Sequence, residues 1–406
     1  MRIRKKSLFY LLAILSSLIA AGVTSIDTYI SIKYKINPWT LCLAIFIAGM
    51  IITLLLCIFL SIPIGKKAIG TRIDPSFYRI RLLRKEELPY HILAGIGNAV
   101  ATIAYFFIIS IYKDPSATIS FFQVVILYLL LTESIAEKNA PTLAEVESSV
   151  IVTFGAIMAS FSLQGEINFL GLLIVFAILN PAWVLFSIYQ RRLKLMKING
   201  RHNDAINIRF WNLLFTTLFT SLLVYFIDAK RFFEVAVVMK YWQIFFLSMG
   251  VTFFSYILYI RALGLGKASV TQAVKSSTII FSIPFSILLS KFVHISLYES
   301  PQQLVIKTMG IILVVMGVIS FALTEVKAYI FMKASTGYSI DELMRKIWKI
   351  KGITSVATVA GKYDIIAKAR IRTLGKGYER IIRELEGIKG IERFEWQSIL
   401  KEWEEV

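Results

Sequence analysis

Charged residues are scarce in this chain. Asp, Glu, Lys and Arg make up 17% of its 406 residues, whereas soluble proteins usually carry about 25%. The shortage is uneven, because residues 326–406 have the composition of an ordinary soluble domain. The first 325 residues are therefore even more apolar than the mean hydropathy of +0.69 indicates. This excludes an ordinary water-soluble fold for most of the chain.

Histidine, cysteine and paired acids are also few. The three histidines are scattered, and no group of residues has the spacing of metal ligands. The two cysteines, Cys42 and Cys57, lie on one predicted helix about 22 Å apart, too far for a disulfide. No paired acids or nucleophile–base set occur in the apolar segments. We therefore expect no metal site, no cofactor and no enzymatic activity.

Basic residues exceed acidic ones, and the net charge is +19. In a soluble protein such an excess would indicate a nucleic-acid partner. Here most of it lies in loops between apolar segments, where positive charge sets membrane topology beside anionic lipid. We therefore expect a lipid bilayer as partner, and no nucleic acid.

Ten apolar segments account for the composition of the first 325 residues. Each is near the length of about 20 residues with which a helix crosses a bilayer core. They lie at about 8–30, 39–62, 90–112, 117–132, 148–163, 169–189, 208–227, 242–263, 269–293 and 303–323. The predicted fold is an all-α polytopic membrane protein with ten transmembrane helices.

The distribution of basic residues predicts the orientation. With an even number of spans both termini lie on one side. The basic N-terminus and the basic loops after spans two and six then share that side. The positive-inside rule places it in the cytoplasm, so we expect a multi-pass protein of the inner cell membrane with both termini cytoplasmic.

Two similar units occur about 150 residues apart. Residues 105–116 and 259–269 each join an aromatic helix to a short turn and a following apolar helix. In the second unit glycine permits the tight turn and Ser269 can cap the returning helix. We infer a duplication with repeats at about 1–165 and 166–325. Five spans per repeat make the halves inverted, with a substrate site near the midplane.

Three stretches carry a family resemblance. They are residues 171–192 around Asn180-Pro181-Ala182-Trp183, residues 259–269, and residues 303–320. They are similar to the sixth helix, the helix 8–9 turn and the last helix of the drug/metabolite transporter superfamily, in its ten-helix EamA-like branch. Glu133 stands where that family often has an acid. The Trp-Gly usual in its first helix is missing, and Ser286 stands in place of an acid near the repeat counterpart of Glu133.

That resemblance covers residues 1 to about 325 and implies secondary transport of a small organic solute, coupled to protons and directed outward. Lys275 is the sharpest candidate for a binding residue, because an unpaired charge within a bilayer costs about 3 kcal/mol on the mildest scale. It can bind a substrate carboxylate, or it can extend to the cytoplasmic surface. Both alternatives stay open at this point.

Polar and aromatic residues inside the spans complete the candidate site. Each can contact a substrate, or can bridge and pack helices instead. The predicted substrate-binding residues are Asn98, Tyr105, Gln123, Asn180, Trp183, Tyr259, Gln272 and Lys275. Asp27 and Glu133 are candidates for proton coupling, although both lie near span ends and can be interfacial. Arg209 and Arg261, near cytoplasmic ends, are interpreted as topology charges.

The tail, residues 326–406, has a different pattern. Short alternating segments at 326–335, 353–359, 363–371 and 391–400 predict strands, and 339–349 and 377–385 predict helices. The order βαββαβ predicts a small cytoplasmic α+β domain of the ferredoxin-like type.

Gly361, Tyr363 and Asp364 make this tail resemble the effector-binding domain of Lrp/AsnC-type regulators. The resemblance implies an amino-acid effector at those three residues and homo-oligomers formed through the sheet. Asp364 can instead simply stabilise the turn. The leading function is a secondary transporter, expected to export amino acids or other metabolites, with a regulatory tail. The alternative is a membrane-anchored small-molecule sensor or assembly protein without transport.

Overall fold

A computed structural model describes most of the chain. The described residues are 5–65, 67–113, 115–136, 143–159, 169–198, 200–293, 301–323, 326–350, 352–371 and 376–398. Contacts divide the chain into two units, one of Met1–Asn139 with Ser149–Val318 and the other of Ala140–Ser148 with Ile319–Val406. The first unit is helical, and the second contains a four-stranded sheet.

The helices and strands follow in chain order. The first part comprises α1 (Lys5–Tyr34), α2 (Pro38–Leu60), β1 (Pro63–Ile64), β2 (Lys67–Ala68), α3 (Leu88–Tyr112), α4 (Pro115–Phe122), α5 (Val125–Ala136) and α6 (Leu143–Ala159). The second comprises α7 (Phe169–Leu173), a π-helical turn (Ile174–Leu179), α8 (Asn180–Leu195), β3 (Lys197–Ile198), β4 (Arg201–His202), α9 (Ala205–Ile227), α10 (Ala229–Val238), α11 (Trp242–Leu265), α12 (Ala268–Lys275), α13 (Thr278–Val293) and α14 (Pro301–Leu323). The tail comprises β5 (Val326–Ala334), α15 (Ile340–Trp348), β6 (Ile353–Thr358), β7 (Ile365–Ile371), α16 (Lys376–Glu386) and β8 (Ile391–Ser398).

Seven helical segments within the described ranges are long and apolar enough to cross a membrane. They are Ser7–Tyr34, Pro38–Leu60, Leu88–Tyr112, Phe169–Leu195, Ala205–Ile227, Ala229–Leu265 and Ala268–Phe292. The fourth, fifth and tenth predicted spans correspond to shorter apolar helices, Thr118–Glu133, Val146–Gly155 and Thr308–Gly317. A membrane part is therefore supported, whereas the count of ten spans stays a prediction.

Two predicted spans are interrupted. The fourth breaks between α4 and α5 at Gln123, whose N–H donates to the Ser120 carbonyl at 3.0 Å in a tighter turn. The ninth breaks between α12 and α13, where the N–H of Ser277 donates to the Val274 carbonyl at 3.2 Å. These breaks leave irregular backbone inside the helical unit, which proteins tolerate where backbone lines a cavity.

The sixth predicted span contains a π-helical turn just before Asn180 and Pro181. The N–H of Asn180 donates to the carbonyl of Val175, five residues earlier, which is the π-helical pattern. Proline has no N–H to offer the Phe176 carbonyl in that pattern. The Tyr128 hydroxyl donates to it instead at 2.9 Å. A hydroxyl of α5 thus replaces the missing backbone bond and joins α5 to the π turn.

Two pairs of helices make the most extensive contacts, α1 with α11 and α3 with α8. Ser16 and Ser255 join the first pair, because the hydroxyl of each donates to the carbonyl of the other at 2.9 and 3.0 Å. Gly97 joins the second, because a Cβ there would lie 2.7 Å from Ala182 O and Phe186 N. Both pairs therefore need small residues at their contact.

Residues of the loop between α2 and α3 contact the end of α8 and the loop that follows it. Asp74 and Lys194 form a buried ion pair at 2.7 Å. Arg81 donates to both oxygens of Glu87 at 2.7 Å, and the Asn203 amide also donates to Glu87, at 2.6 Å. Burial raises the pKa of Asp74, but the charge and hydrogen bond of Lys194 outweigh it and hold that pKa below its ordinary value.

The tail folds in the predicted order βαββαβ. Its strands lie in the order β6-β7-β5-β8, and every neighbouring pair is antiparallel. Ile330 lies opposite Ala367 on one side and Trp396 on the other. Helices α15 and α16 pack on this face through Ile347 and Leu385. The core of the second unit therefore lies between the two helices and one face of the sheet.

Candidate functional site

A cavity lies within the helical unit. Its volume is about 130 Å³, room for several water molecules. It is lined by Ala20, Val23, Thr24, Asp27, Ile45, Phe46, Asn98, Thr102, Tyr105, Phe106, Ile119, Phe122, Gln123, Trp183, Arg209, Met249, Thr252, Ser255, Tyr256, Gln272, Lys275 and Thr278. Such a mixed apolar and polar lining fits a small organic solute.

Most residues of the predicted site meet in this cavity. The predicted residues that line it are Asp27, Asn98, Tyr105, Gln123, Trp183, Gln272 and Lys275. They come from α1, α3, α8 and α12 and from the break after α4. Their binding role stays a prediction, but the structure brings them together.

Asn180 and Tyr259 lie behind the cavity lining. The Asn180 amide donates to the carbonyls of Phe121 at 3.2 Å and Val175 at 2.8 Å, so it bridges α4 and the π turn. The Tyr259 hydroxyl and the Ser187 hydroxyl are 2.9 Å apart and join α11 to α8. Both side chains thus have the helix-bridging contacts that the sequence left open as the alternative to substrate contact.

Asp27 is buried in the cavity wall. The Tyr105 hydroxyl donates to Oδ2 at 2.9 Å, and the Ser248 hydroxyl donates to Oδ1 at 2.6 Å. Only 5% of the residue is exposed. Two hydroxyl donors from α3 and α11 therefore hold the carboxylate in place.

Glu133 has a different environment. Its carboxylate accepts the N–H of Ala268 at 2.9 Å and the hydroxyl of Ser269. A carboxylate at the first turn of a helix satisfies N–H groups that have no partner within the helix. The expected cap by Ser269 is therefore wrong, because α5 supplies the cap of α12 through Glu133. Glu133 is not part of the cavity lining.

Lys275 ends α12 and directs its ammonium group toward aromatic rings. Nζ lies 4.3 Å from the ring centre of Tyr259, 5.5 Å from that of Trp183 and 6.0 Å from that of Tyr256. These distances fall within the range of cation–π contacts. Lys275 lines the cavity. Of the two sequence alternatives, the structure therefore places it toward the cavity.

Arg209 is the residue that the sequence interpretation missed. Its position near a helix end predicts a topology charge. In the structure, however, only 1% of Arg209 is exposed and it lines the cavity. Its Cζ lies 4.1 Å from the ring centre of Tyr256. The missed signal is a polar stripe on α9, because Arg209, Asn212 and Thr216 share one helix face at i, i+3 and i+7.

Several buried polar atoms around the cavity lack a partner among the described residues. They are Oε1 of Gln123, Oε1 of Gln272, Nε1 of Trp183, and Nε and Nη1 of Arg209. Buried polar groups in folded proteins are nearly always hydrogen-bonded. Donors and acceptors left open around one cavity can therefore serve a bound solute.

The predicted effector residues lie between β6 and β7. Gly361 has a φ of +148°, which glycine adopts readily, and it is exposed. The Asp364 carboxylate accepts the N–H of Ala334 at 2.9 Å, so it joins β7 to the end of β5. The Tyr363 hydroxyl donates to Glu395, and this bond lowers the pKa of Glu395. Asp364 thus has a structural bond to the neighbouring strand and not within its turn, and its role toward an effector stays a prediction.

Comparison with protein families identifies the tail. Residues 327–405 match the family model described as Lrp/AsnC ligand binding domain. The tail is an Lrp/AsnC ligand binding domain. This confirms the resemblance drawn from Gly361, Tyr363 and Asp364, and the match extends from β5 beyond β8.

Other comparisons add little to the Lrp/AsnC domain. No curated protein matches the chain. One solved structure, described as "Crystal structure of PH0061", is 19% identical with a TM-score of 0.19, covering 29% of this chain and 80% of its own. Another, described as "Crystal structure of protein", is 13% identical with a TM-score of 0.45, covering 76% and 98%. Both similarities are too weak to assign a fold.

Proposed function

We propose that the chain is a secondary transporter of small organic solutes such as amino acids or other metabolites, working by alternating access and expected to export. It would belong to the ten-helix, EamA-like branch of the drug/metabolite transporters. It would span the inner cell membrane with both termini in the cytoplasm, without cofactor and without enzymatic activity. The Lrp/AsnC domain would regulate transport by binding a cytoplasmic amino acid.

The observation that carries this proposal is the cavity and its polar lining. Asp27, Arg209 and Lys275 are charged groups inside an apolar helical unit, and such residues usually mark substrate or ion pathways. Gln123 and Lys275 adjoin the breaks of the fourth and ninth predicted spans. Transporter sites are often built where helices are interrupted in this way.

Three features support the inverted repeat. Counterpart spans four and nine are both interrupted. If the two repeats are compared, span one (α1) corresponds to span six (α8), and span three (α3) corresponds to span eight (α11). The contact of α1 with α11 then corresponds to the contact of α8 with α3. Gly49 of α2 faces Met249 of α11, and Gly95 of α3 faces Phe215 of α9, which are counterpart pairs as well. A rocking motion of one repeat against the other around the cavity fits this arrangement.

Asp27 is the better of the two proton-coupling candidates. It borders the cavity, whereas the Glu133 carboxylate is bonded to the start of α12. A coupling carboxylate must exchange protons as the site changes access, and a position on the cavity wall permits this. Proton coupling by Asp27 is therefore part of the proposal.

The strand order of the Lrp/AsnC domain supports a ferredoxin-like fold, since its first and third strands, β5 and β7, are central. We propose that it forms homo-oligomers through the face of the sheet opposite α15 and α16. On that face Phe331 and Tyr363 place their ring centres 5.5 Å apart. Aromatic residues of this kind are enriched in protein interfaces.

The test is solute flux in proteoliposomes containing the purified full chain. An imposed pH gradient should drive movement of some labelled amino acids or organic acids, and Asp27→Asn should abolish the gradient-driven component. Glu86→Gln, which changes an exposed acid outside the cavity, should leave flux unchanged. No solute-dependent flux across a broad panel would refute transport.

The alternative is a membrane-anchored sensor or assembly protein without transport. The family match of residues 327–405 to a ligand binding domain favours this second candidate. It predicts a ligand-dependent thermal shift of the full chain together with no flux in vesicles. The transporter proposal predicts both signals in one preparation.

A further inference from the structure

The cavity contains more positive than negative charge. Its charged lining residues are Arg209, Lys275 and Asp27. The two cations come from different helices, α9 and α12, and neither has a carboxylate within 4 Å in the described part of the chain. One buried cation, Arg209, and one partly buried cation, Lys275, therefore share the cavity with one acid that is already bonded to Tyr105 and Ser248.

Of the two cations, Arg209 has buried nitrogen atoms, Nε and Nη1, without a hydrogen-bond partner among the described residues. A buried charge without hydrogen bonds is costly to the folded state. Residues kept at such a cost commonly serve a function at the expense of stability. The guanidinium group can supply two parallel donors to one carboxylate or phosphate.

The two cations of the cavity lie close to one aromatic ring. Arg209 Cζ and Lys275 Nζ lie 4.1 and 6.0 Å from the ring centre of Tyr256, so they are at most about 10 Å apart. Asp27 is bonded to Ser248, eight residues before Tyr256 on α11. Eight residues of helix span about 12 Å. Both cations therefore lie beside the Tyr256 ring, whereas Asp27 is held by Ser248, about two turns earlier on α11.

We propose that this cavity binds a small organic anion, whose carboxylate or phosphate group lies between Arg209 and Lys275. The ring faces of Trp183 and Tyr256 contact the remainder of the solute. The α-amino group of a zwitterion, one carbon from its carboxylate, would lie beside the two cations and be repelled by them. Solutes with net negative charge are thus preferred over zwitterions. This assignment of substrate class rests on the proposed transport function, because it concerns the same cavity.

Binding can be measured apart from flux, by calorimetry and thermal shift on the detergent-purified full chain. The probes are succinate, inorganic phosphate, glycine and glycinamide. Succinate or phosphate should bind and raise the apparent Tm, and the stronger of the two identifies the acid group. Glycine should bind at least tenfold more weakly, and glycinamide should not bind. No detectable binding of either anion at millimolar concentration would overturn the proposal.

Variants locate the binding site. Arg209→Gln and Lys275→Gln should each weaken anion binding by at least tenfold, and Arg209→Lys should weaken it less than Arg209→Gln. Lys230→Gln removes an exposed cation from α10 and should not change binding. Arg209→Gln should also leave the apparent Tm without ligand at or above that of the wild type. A wild-type anion affinity in Arg209→Gln would overturn the site.

Flux then separates this proposal from the transporter proposal. Flux that is confined to uncharged or cationic solutes and insensitive to Arg209→Gln would overturn the anion site while transport stands. Anion binding that depends on Arg209, without any flux, would leave the anion site in place and refute transport.

Discussion

Asp74 and Lys194 show how a single buried pair connects the loop between α2 and α3 to the end of α8. The ammonium of Lys194 lies 2.7 Å from Asp74 Oδ2 and also donates to the Asn203 carbonyl at 2.7 Å. Asp74 further accepts the N–H of Ala205 at 2.7 Å, where α9 begins. The charge of each residue is therefore compensated by the other. Arg209, by contrast, has no ion-pair partner among the described residues.

Asp74→Asn should destabilise the protein by about 3–5 kcal/mol, because it leaves the Lys194 ammonium buried without a counter-charge. The measurement is chemical or thermal unfolding in detergent. The control is the double variant Asp74→Asn with Lys194→Met, which should lose less, since neither charge stays behind. Equal stability of Asp74→Asn and wild type would contradict the buried pair.

Asp204 is a second acid of this region with a shifted pKa. Burial raises its pKa to about 6, although bonds from Asn207 oppose the rise. Its carboxylate accepts the N–H of Asn207 at 2.7 Å as the N-cap of α9. Between its ordinary pKa near 3.8 and about 6 the folded state binds more protons than the unfolded state. Its contribution to stability therefore falls as the pH rises through that window.

Asp204→Asn should remove this dependence while keeping the cap, because asparagine is an equally good N-cap residue. We expect the apparent Tm of the variant, measured from pH 4 to pH 7, to decline less with rising pH than that of the wild type. Glu86→Gln provides a comparison at an exposed acid. Parallel pH profiles for wild type and Asp204→Asn would show that Asp204 ionises normally.

At the scale of helices, close approach decides which pairs can form. The contact of α3 with α8 depends on Gly97, because the nearest atoms to an added Cβ are backbone atoms at 2.7 Å. Backbone atoms can move only with their helix. A single methyl group at this position must therefore separate the two helices.

Gly97→Ala should destabilise the helical unit by about 1–3 kcal/mol. The matched control is Gly250→Ala on α11, where the nearest atom to an added Cβ is 3.8 Å away. That change should be neutral or stabilising by up to about 1 kcal/mol, since alanine is the better helix former. Unfolding in detergent compares the two, and equal effects would argue against tight α3–α8 packing.

Helix ends were less predictable than helix centres. The start of α12 was expected to depend on Ser269 because a serine at a helix start is a common local cap. In the structure Glu133 supplies the cap from a position more than a hundred residues earlier. Local rules therefore identified a helix start that needs a partner, but not the partner. The same holds for Tyr128, which bonds the Phe176 carbonyl across helices.

At the scale of the whole molecule, a helical unit with membrane-spanning character precedes an Lrp/AsnC ligand binding domain. The sheet of that domain buries one face beneath α15 and α16, and the other face carries Phe331 beside Tyr363. Both aromatic residues are partly exposed, and a partly exposed aromatic pair can serve as a surface for self-association. The proposed oligomer would form there.

Phe331→Glu should convert this oligomer to monomers, because a buried unpaired carboxylate opposes association. Size-exclusion chromatography with light scattering on the full chain in detergent measures the mass. The control is Ile340→Glu, which places the same charge at an exposed position at the start of α15. An unchanged oligomer in Phe331→Glu would place the interface elsewhere.

The sequence by itself determined which segments suit lipid and which suit water, because that choice depends on composition averaged over some twenty residues. It also determined the strand and helix order of the tail, where local alternation and glycine turns are strong signals. Lys275 was singled out because a mid-span charge is costly wherever its helix packs.

Only the tertiary structure decided which side chains share the cavity. Asp27 and Arg209 both looked interfacial, since position along a helix does not reveal which face is buried. Asp27 meets Ser248 more than two hundred residues away. That meeting depends on how α1 packs against α11, and such packing reflects the fit of whole helix surfaces, for which no local sequence pattern exists.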